Sequence, residues 1–446
     1  MKYFTGVSYL GIICFLLMGF YSPSVSQLKV GVGKSDITPP LGTALEGYYI
    51  ERLATNVHDE LFARAMIIDD GKKSMVLVVV DIIDVSPVGF PEARTRIQKE
   101  FNIPASNIII SATHTHTGPV FSEKYEKMLA TKIFDATKIA FQNLRPAVIK
   151  SGIGKEENVS FHRRFLMKDG TVKFNPGTLN PDIVKPMGPI DPDVGIVYIE
   201  TPDGEPIAVM VNFAIHLDTV GGTEISADFP YFISKVLKKV LGEETMVFFG
   251  FGTCGNVNHF NVNSPETLKG FGRAERIGYA LAASVIREYP ALEKQKIGSL
   301  QSENEILHLK IPEYTQEQLE TAKINSKKES DHESSTPEIR EAMKILRIQE
   351  RKGKPIEAEV QTFGLGDVAI VALPGEIFVE LGLEIKKRSP YKHTIILTLS
   401  NNSIGYVPNA AAFDHGAYEV EVSEIAKGEG ERLVESSIRL LEKMKD

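Results

Sequence analysis

The stretch Ile108-Ile109-Ile110-Ser111-Ala112-Thr113-His114-Thr115-His116-Thr117-Gly118-Pro119 is the part of this sequence on which its interpretation depends. The apolar run 108–110 predicts a buried strand, and Gly118-Pro119 ends regular structure. Because side chains alternate along a strand, two histidines spaced two apart point to the same side and can face one cleft. Histidine is the commonest metal ligand and a proton carrier near neutral pH. The spacing alone leaves a second interpretation open, in which both are ordinary polar residues at a strand end.

Segments with the patterns of strands and helices alternate along the rest of the chain, which predicts a mixed α/β (α+β) fold. No change of composition marks a linker, so we expect a single large catalytic domain, with mixed sheets and flanking helices, over residues 27–446. Strands are predicted at 28–33, 62–68, 75–80, 194–200, 207–213, 246–251, 358–363, 368–373 and 394–399. Helices are predicted at 91–101, 123–144, 272–288, 376–387 and 430–443, with a further helix that begins near Asp228 as its N-cap.

Residues 313–356 differ from their surroundings, because they are charged and helix-prone and contain few large apolar side chains. This composition predicts a charged helical excursion from the domain. It is interpreted either as a lid or, more simply, as a solvated helical hairpin on the surface.

The overall composition describes an ordinary globular protein. The chain has 446 residues, of which 43% are hydrophobic and 24% charged, enough for a sizeable core. The formal net charge of −8 argues against a nucleic-acid-binding protein. No run of basic residues forms a polybasic patch for an acidic membrane.

The first 26 residues have the features of a secretory signal peptide. Lys2 provides a positive charge, an apolar segment covers about residues 7–20, and Ser24-Val25-Ser26 supplies small residues for cleavage. The apolar segment is shorter than the roughly 20 residues of a membrane-spanning helix, although an uncleaved anchor is the alternative. The mature chain would keep one cysteine, Cys254, and hence no intrachain disulfide. We therefore expect a secreted or periplasmic protein, associated with the cell envelope if anchored there.

Further candidate ligands occur in positions similar to that of the two histidines. His216, Glu376 and Tyr406 each come shortly after an apolar run, as His114 and His116 do. The ends of strands at one edge of a sheet are where α/β folds build their sites. Two histidines and a carboxylate form a zinc-hydrolase ligand set with one position left for water. Zinc lowers the pKa of such a water to about 7 and polarises a carbonyl. The spacing is long-range, so the pattern by itself leaves the metal site a hypothesis.

Five motifs occur in a specific order along the chain. They are Gly31-Val32-Gly33-Lys34-Ser35-Asp36-Ile37-Thr38-Pro39-Pro40, Ala112-Thr113-His114-Thr115-His116-Thr117-Gly118-Pro119, Asn212-Phe213-Ala214-Ile215-His216, Leu373-Pro374-Gly375-Glu376 and Ile404-Gly405-Tyr406-Val407. In this order they resemble the neutral/alkaline ceramidase family, the zinc amidases that cleave the N-acyl bond of ceramide. The resemblance covers most of the mature chain.

The resemblance implies a role for each candidate residue. It makes His114 and His216 the nitrogen ligands of one zinc ion (Zn2+) per chain and Glu376 the carboxylate ligand. It makes Tyr406 a weak ligand or a partner of the oxyanion. It makes His116 a proton carrier or transition-state stabiliser that faces the substrate, and we predict that His116 protonates the leaving amine.

The resemblance also implies an arginine that helps to stabilise the oxyanion. The family's Asn-Arg-Ser segment matches Arg163, although Arg164 is a near rival, because the segment here is Phe161-His162-Arg163-Arg164. A second segment departs from the family pattern at Gly255-Asn256-Val257-Asn258-His259. In the family, both segments line the substrate side of the site. The resemblance therefore implies amide hydrolysis more strongly than it implies the identity of the substrate.

The sequence therefore predicts an exported zinc-dependent amide hydrolase of the N-acylsphingosine amidohydrolase type, which cleaves ceramide-like lipids with metal-activated water. One alternative is a zinc deacylase of N-acyl amino sugars or other small amides, and another is a non-catalytic envelope binding protein on the same scaffold. A lipid substrate is compatible with peripheral membrane contact, and no obligate protein partner is expected. Because the chain ends about 40 residues after Tyr406, we expect the catalytic domain without the immunoglobulin-like domain of larger family members.

Overall fold

The computed structural model describes residues 1–3, 27–266, 269–328 and 336–445. Almost all of the predicted signal peptide therefore lies outside the described residues. Within the described ranges, none of the helices has the length and apolar character that crossing a bilayer requires.

The predicted strand before the two histidines forms an edge of a five-stranded sheet. It covers Ile108–Ala112 and runs parallel to Ser74–Val80. The sheet continues antiparallel through Phe62–Asp69 and Lys29–Asp36 and ends at Arg145–Pro146. All five residues of the edge strand are buried, which explains why it begins as an unbroken apolar run rather than an alternating pattern.

Two further sheets have the same plan, in which antiparallel strands lead to one parallel pair. The second sheet has the order Met246–Phe251, Pro206–Phe213, Asp193–Glu200, Val148–Lys155 and Glu293–Lys294. The third has the order Gln301–Leu309, Ile356–Leu365, Val368–Ala372 and His393–Leu397. Each parallel pair needs a crossover connection, and in all three sheets a helix lies within it.

The helices of the described residues cover the sheets and fill these crossovers. They are α1 (Gly89–Phe101), α2 (Glu123–Gln142), α3 (Phe229–Leu241), α4 (Phe271–Glu288), α5 (Gln316–Asn325), α6 (Pro337–Glu350), α7 (Val379–Arg388), α8 (Tyr418–Val422) and α9 (Glu429–Lys445). As predicted, Asp228 is the N-cap of α3, and its side chain accepts a hydrogen bond of 2.6 Å from the backbone N–H of Phe229.

The ends of the parallel strands from the three sheets meet at one place. The N–H of Ala112 donates to the carbonyl oxygen of Leu399 (3.1 Å), which joins the first sheet to the third. The N–H of Thr398 donates to the carbonyl oxygen of Phe251 (2.8 Å), which joins the third sheet to the second. Backbone hydrogen bonds therefore hold the three strand ends together, and residues that follow them share one region.

Several elements differ from the sequence-based expectation, and one is the strand Val148–Lys155 of the second sheet, which is not among the predicted strands. The strand Gln301–Leu309 has no counterpart among the predicted strands, because it is an edge strand with mainly polar, exposed side chains and only Leu307 and Leu309 buried. The helix predicted over 376–387 begins at Val379 instead. Its first residues are extended because Glu376–Ile377 pairs with Tyr406–Val407 as short parallel strands.

The charged excursion forms the helices α5 and α6, which pack against each other. Thr315 and Thr336 cap their N-termini through side-chain oxygens, as threonine often does. Helix α6 also packs against α8, so one side of the excursion contacts the domain. Together the sheets and helices form one mixed α+β domain, which confirms the predicted fold class.

Candidate active site

The backbone at the end of the first sheet fixes the orientation of His114. Its N–H donates to the carbonyl oxygen of Ile82 (2.9 Å), and its φ of 75° lies in the left-handed region that few non-glycine residues adopt. Its Nδ1 lies 2.5 Å from the carbonyl oxygen of Ile83. A carbonyl can only accept, so Nδ1 carries the proton and Nε2 presents its lone pair.

The other two sheets bring His216 and Glu376 to the same point. The Nε2 atoms of His114 and His216 are 3.0 Å apart. Glu376 Oε2 lies 3.4 Å from His114 Nε2 and 3.8 Å from His216 Nδ1. His116 Nε2 lies 3.3 Å from His114 Nε2, and one nitrogen from each of the three histidines falls within 4.8 Å of the others. Both imidazoles of the H-x-H pair thus reach one place, as predicted, although both residues lie beyond the strand, which ends at Ala112.

Buried polar atoms without partners mark the centre of this cluster. Among the described residues, His216 Nδ1 and Glu376 Oε2 are buried and form no hydrogen bond, whereas buried polar atoms are normally paired. Burial, followed by the neighbouring His114, holds the pKa of His216 well below its ordinary value and lowers the pKa of His116 to about 3. Neutral imidazoles beside a carboxylate are the donors that zinc takes, so the donor set fits a divalent ion of this kind.

His116 lies between this cluster and a cavity. Its Nδ1 lies 3.1 Å from the carbonyl oxygen of Gly47, which leaves Nε2 towards the cluster. The ring meets that of Tyr48 edge to face, with centroids 6.0 Å apart. His116 can therefore act either as a further nitrogen donor or as a proton carrier towards the cavity.

The two adjacent arginines have different surroundings, although both bind Glu419. Arg163 Nε donates to Glu419 (2.9 Å), and its guanidinium lies 5.5 Å from the centroid of the Tyr406 ring. Arg164 donates to the other oxygen of Glu419 (3.2 Å) and to the carbonyl oxygen of Gly416 (2.8 Å). Only Arg163 of the pair, together with Tyr406, lines the cavity. Burial raises the pKa of Tyr406 well above its ordinary value, so its hydroxyl is a donor.

The cavity has a volume of about 700 Å³ and is open to solvent. Its floor contains His116, His216, Arg163 and Tyr406. Its walls combine aromatic and charged side chains, namely Tyr48, Tyr49, Phe174 and Tyr418 with Lys173, Asp218, Arg340 and Glu421. The first turn of α6 also lies in the wall through Thr336 and Pro337, so part of the charged excursion lines the site.

Several wall residues have no counterpart among the predicted site residues. Asp218 follows His216 by two positions, but both residues lie beyond the strand Pro206–Phe213, so the alternation of side chains along a strand does not indicate it. Tyr418 and Arg340 lie on separate helices with no sequence motif, so nothing in the sequence indicates that they meet at the site.

The two segments that depart from the family pattern are structural neighbours. Phe161–His162 and Val257–Asn258 form a short antiparallel pair, and Asn256 Nδ2 lies 3.2 Å from His162 Nε2. His162 is buried and is not among the cavity-lining residues. The two changes therefore affect one buried unit beside the site.

Comparisons with known proteins agree with the resemblance that the motifs predict. Residues 28–179 match the model of the family "Neutral/alkaline non-lysosomal ceramidase, N-terminal". The chain is 36% identical over 120 residues to a neutral ceramidase of Drosophila melanogaster, and the aligned region covers 25% of this chain and 17% of the relative. It is 26% identical over 211 residues to a neutral ceramidase of Pseudomonas aeruginosa, and the aligned region covers 42% of this chain and 30% of the relative. The matched regions thus span less than a third of these relatives.

The fold is shared more widely than the sequence. The crystal structure of neutral ceramidase from Pseudomonas aeruginosa superposes with a TM-score of 0.73 at 18% identity, over 94% of this chain and 75% of that chain. Together these comparisons confirm the resemblance to the neutral/alkaline ceramidases and the fold.

Proposed function

We propose that this chain, which resembles the neutral/alkaline ceramidases in its motifs and fold, is a metal-dependent hydrolase of linear amides. The observation that carries the proposal is the convergence of His114, His216 and Glu376 from three sheets on one point. The buried atoms without hydrogen bonds at that point support a bound cation, because leaving them unpaired would cost stability.

Zinc suits this donor set. We propose that His114, His216 and Glu376 hold one zinc ion per chain, with Tyr406 beside it. When bound, zinc polarises a carbonyl and makes a water nucleophilic at neutral pH. The distances also allow a set of three histidines, with His116 as the third nitrogen donor.

Other residues of the chain would act on the substrate. Arg163 and Tyr406 provide hydrogen-bond donors at the cavity floor for the oxygen that becomes negatively charged. His116, which is neutral at rest, would take a proton from the attacking water at Nε2 and deliver it to the leaving nitrogen, because an amide anion is too basic to depart unprotonated. The contact between Nδ1 of His116 and the carbonyl oxygen of Gly47 (3.1 Å) fixes the orientation of the ring for this transfer.

The substrate proposed first is a ceramide-like N-acyl amino-alcohol lipid, supported by the neutral ceramidases that the chain resembles. A second candidate is an N-acyl amino sugar or another small polar amide. The wide, open cavity with aromatic and charged walls favours this second candidate. We also propose that the protein is secreted or periplasmic, on the basis of the signal-like sequence of residues 1–26.

Amine release from matched N-acetyl compounds tests the proposal. Zinc-loaded full chain is incubated with N-acetylsphingosine and with N-acetylglucosamine, and the free amine is quantified before and after chelation and zinc restoration. We expect release from at least one compound, loss on chelation and recovery with zinc. The preferred compound decides between the two candidates. Protein that binds zinc but releases amine from neither, nor from a panel of simple N-acyl amines, would contradict the proposal and favour a binding protein.

A further inference from the structure

Asp218 places a carboxylate in the cavity wall beside the proposed catalytic cluster. It follows the proposed ligand His216 by two residues, and its side chain is 17% exposed at the cavity. Among the described residues, its Oδ1 is buried and forms no hydrogen bond of good geometry. A buried carboxylate of this kind needs a donor.

His259 explains how Asp218 is held. It is completely buried, and its Nδ1 lies 3.0 Å from Asp218 Oδ1. Within the described ranges, neither ring nitrogen of His259 has another hydrogen-bond partner. The nearby carboxylate of Asp228 is engaged by the N–H groups of Val220 (2.8 Å) and Phe229 (2.6 Å). His259 therefore has Asp218 as its polar neighbour and can fix Oδ1, which leaves Oδ2 for the cavity.

An aromatic ring, that of Tyr48, lines the same cavity as this carboxylate. A side chain at Gly221 would come within 3.0 Å of the Tyr48 hydroxyl, so the loop after His216 packs against this ring. Arg52 stacks on the Tyr48 ring, with its guanidinium 4.1 Å from the centroid, and holds it in place. A ring with a neighbouring hydrogen-bond acceptor suits a ligand whose carbon skeleton carries hydroxyl groups.

The position of His116 decides which half of the substrate meets Asp218. In the proposed function, His116 delivers a proton to the leaving nitrogen, and its ring touches that of Tyr48. The proposed oxyanion donors, Arg163 and Tyr406, lie near each other and near Phe174. The amine half of the amide therefore extends towards Tyr48 and Asp218.

We infer that Asp218, oriented by His259, accepts a hydrogen bond from a hydroxyl group on the amine half of the substrate, with Tyr48 against its carbon skeleton. The inference rests on the proposed function for the direction of the substrate. It defines the substrate class as N-acyl derivatives of hydroxylated amines, which includes amino alcohols and amino sugars and excludes simple alkyl amines. Asp218 is thus a specificity-determining residue.

Two free amines that differ only in hydroxyl groups test this inference by binding. Zinc-loaded protein is titrated calorimetrically with 2-aminopropane-1,3-diol and with 2-aminopropane. We expect wild-type protein to bind the diol at least about tenfold more tightly, as for a hydrogen bond to a charged acceptor. Asp218→Asn and Asp218→Glu should each bring the affinity ratio close to one. Glu359→Gln, at a carboxylate of similar exposure (14%) that lies outside this cavity, is the matched control and should leave the ratio unchanged.

The outcomes separate this inference from the proposed function. A wild-type ratio close to one, or a ratio that both Asp218 variants retain, would overturn the inference. A ratio that depends on Asp218 in a protein that hydrolyses no amide would support the binding site and reject the hydrolase. Asp218→Glu keeps the charge near His259, so it provides the decisive comparison if Asp218→Asn folds poorly.

Discussion

Glu376 and Tyr406 lie opposite each other in a two-residue parallel pair of strands. The N–H of Glu376 donates to the carbonyl oxygen of Gly405 (2.9 Å). The two strands of the pair come after Val368–Ala372 and His393–Leu397 in the chain, and these are parallel neighbours themselves. One sheet therefore delivers a carboxylate and a phenol to the same face of the site, and the backbone fixes their relative position.

Replacing the carboxylate should remove the metal. In Glu376→Gln, the buried amide keeps the shape of the side chain but loses the charge that is proposed to bind the cation. We expect zinc affinity to fall by more than the 10–100-fold typical of changes to the partners of metal ligands. Zinc per chain after dialysis, measured by mass spectrometry, checks this. Glu384→Gln on the partly exposed side of α7 is the control, and equal zinc in both variants would rule out Glu376 as a ligand.

A substitution of His116 should show whether this residue binds the metal or transfers a proton during turnover. If it carries the proton to the leaving amine, His116→Gln keeps zinc near one per chain and lowers kcat by about 10²–10⁴-fold. The three-histidine donor set makes the opposite prediction, which is loss of zinc in the same variant. Zinc content and amine release, measured on one preparation, therefore assign His116 to one role.

The sequence predicts the buried strand before the two histidines, because it begins as the unbroken apolar run Ile108-Ile109-Ile110. It also leads to the correct expectation that His114 and His116 face one side, but not for the expected reason, because the strand ends at Ala112 and His114 has a left-handed backbone. It does not predict how the three sheets meet. The bonds from Ala112 to Leu399 and from Thr398 to Phe251 are long-range, and no local pattern encodes them.

The cavity walls are less predictable than the cluster. Arg340 reaches the wall from α6 and binds Glu421 of α8 through an ion pair of 2.5 Å. Both residues belong to charged, helix-prone segments, whose composition is equally typical of solvated surface. Only the packing of α6 on α8 makes them part of the site.

Glu419 should be important for stability. It has no exposed surface and accepts hydrogen bonds from both Arg163 and Arg164. Glu419→Gln would remove the carboxylate that both buried guanidinium groups share. We therefore expect the free energy of unfolding, measured in urea, to be about 3–5 kcal/mol lower than that of the wild type. The solvated pair of Glu123 and Lys127 provides the control. Glu123→Gln should change the free energy of unfolding little, and an equally small effect at Glu419 would contradict the prediction.

Asp228 gives the protein a pH-dependent contribution to stability. Burial raises its pKa to about 6, although its carboxylate accepts hydrogen bonds from Val220 and Phe229. The unfolded chain has an ordinary value of about 3.9. The folded protein therefore binds this proton first as the pH falls. The stabilisation that results is present at low pH and is lost as the pH rises through about 6.

Asp228→Asn isolates this contribution, because asparagine keeps the oxygen that caps α3 but does not titrate. We expect the free energy of unfolding of the wild type, relative to that of the variant, to increase by about 2 kcal/mol between pH 7 and pH 4, because two pKa units at about 1.4 kcal/mol each are gained in full only below the unfolded pKa. Urea unfolding of both proteins across this range measures the difference. Asp203→Asn in an exposed turn is the control. The free energy of unfolding of the wild type relative to this variant should stay nearly constant between pH 4 and pH 7. For Asp228→Asn, the contrary result is a relative free energy of unfolding that is independent of pH or that increases towards pH 7. Either outcome would show that the buried carboxyl is ionised throughout, because its backbone hydrogen bonds outweigh its desolvation.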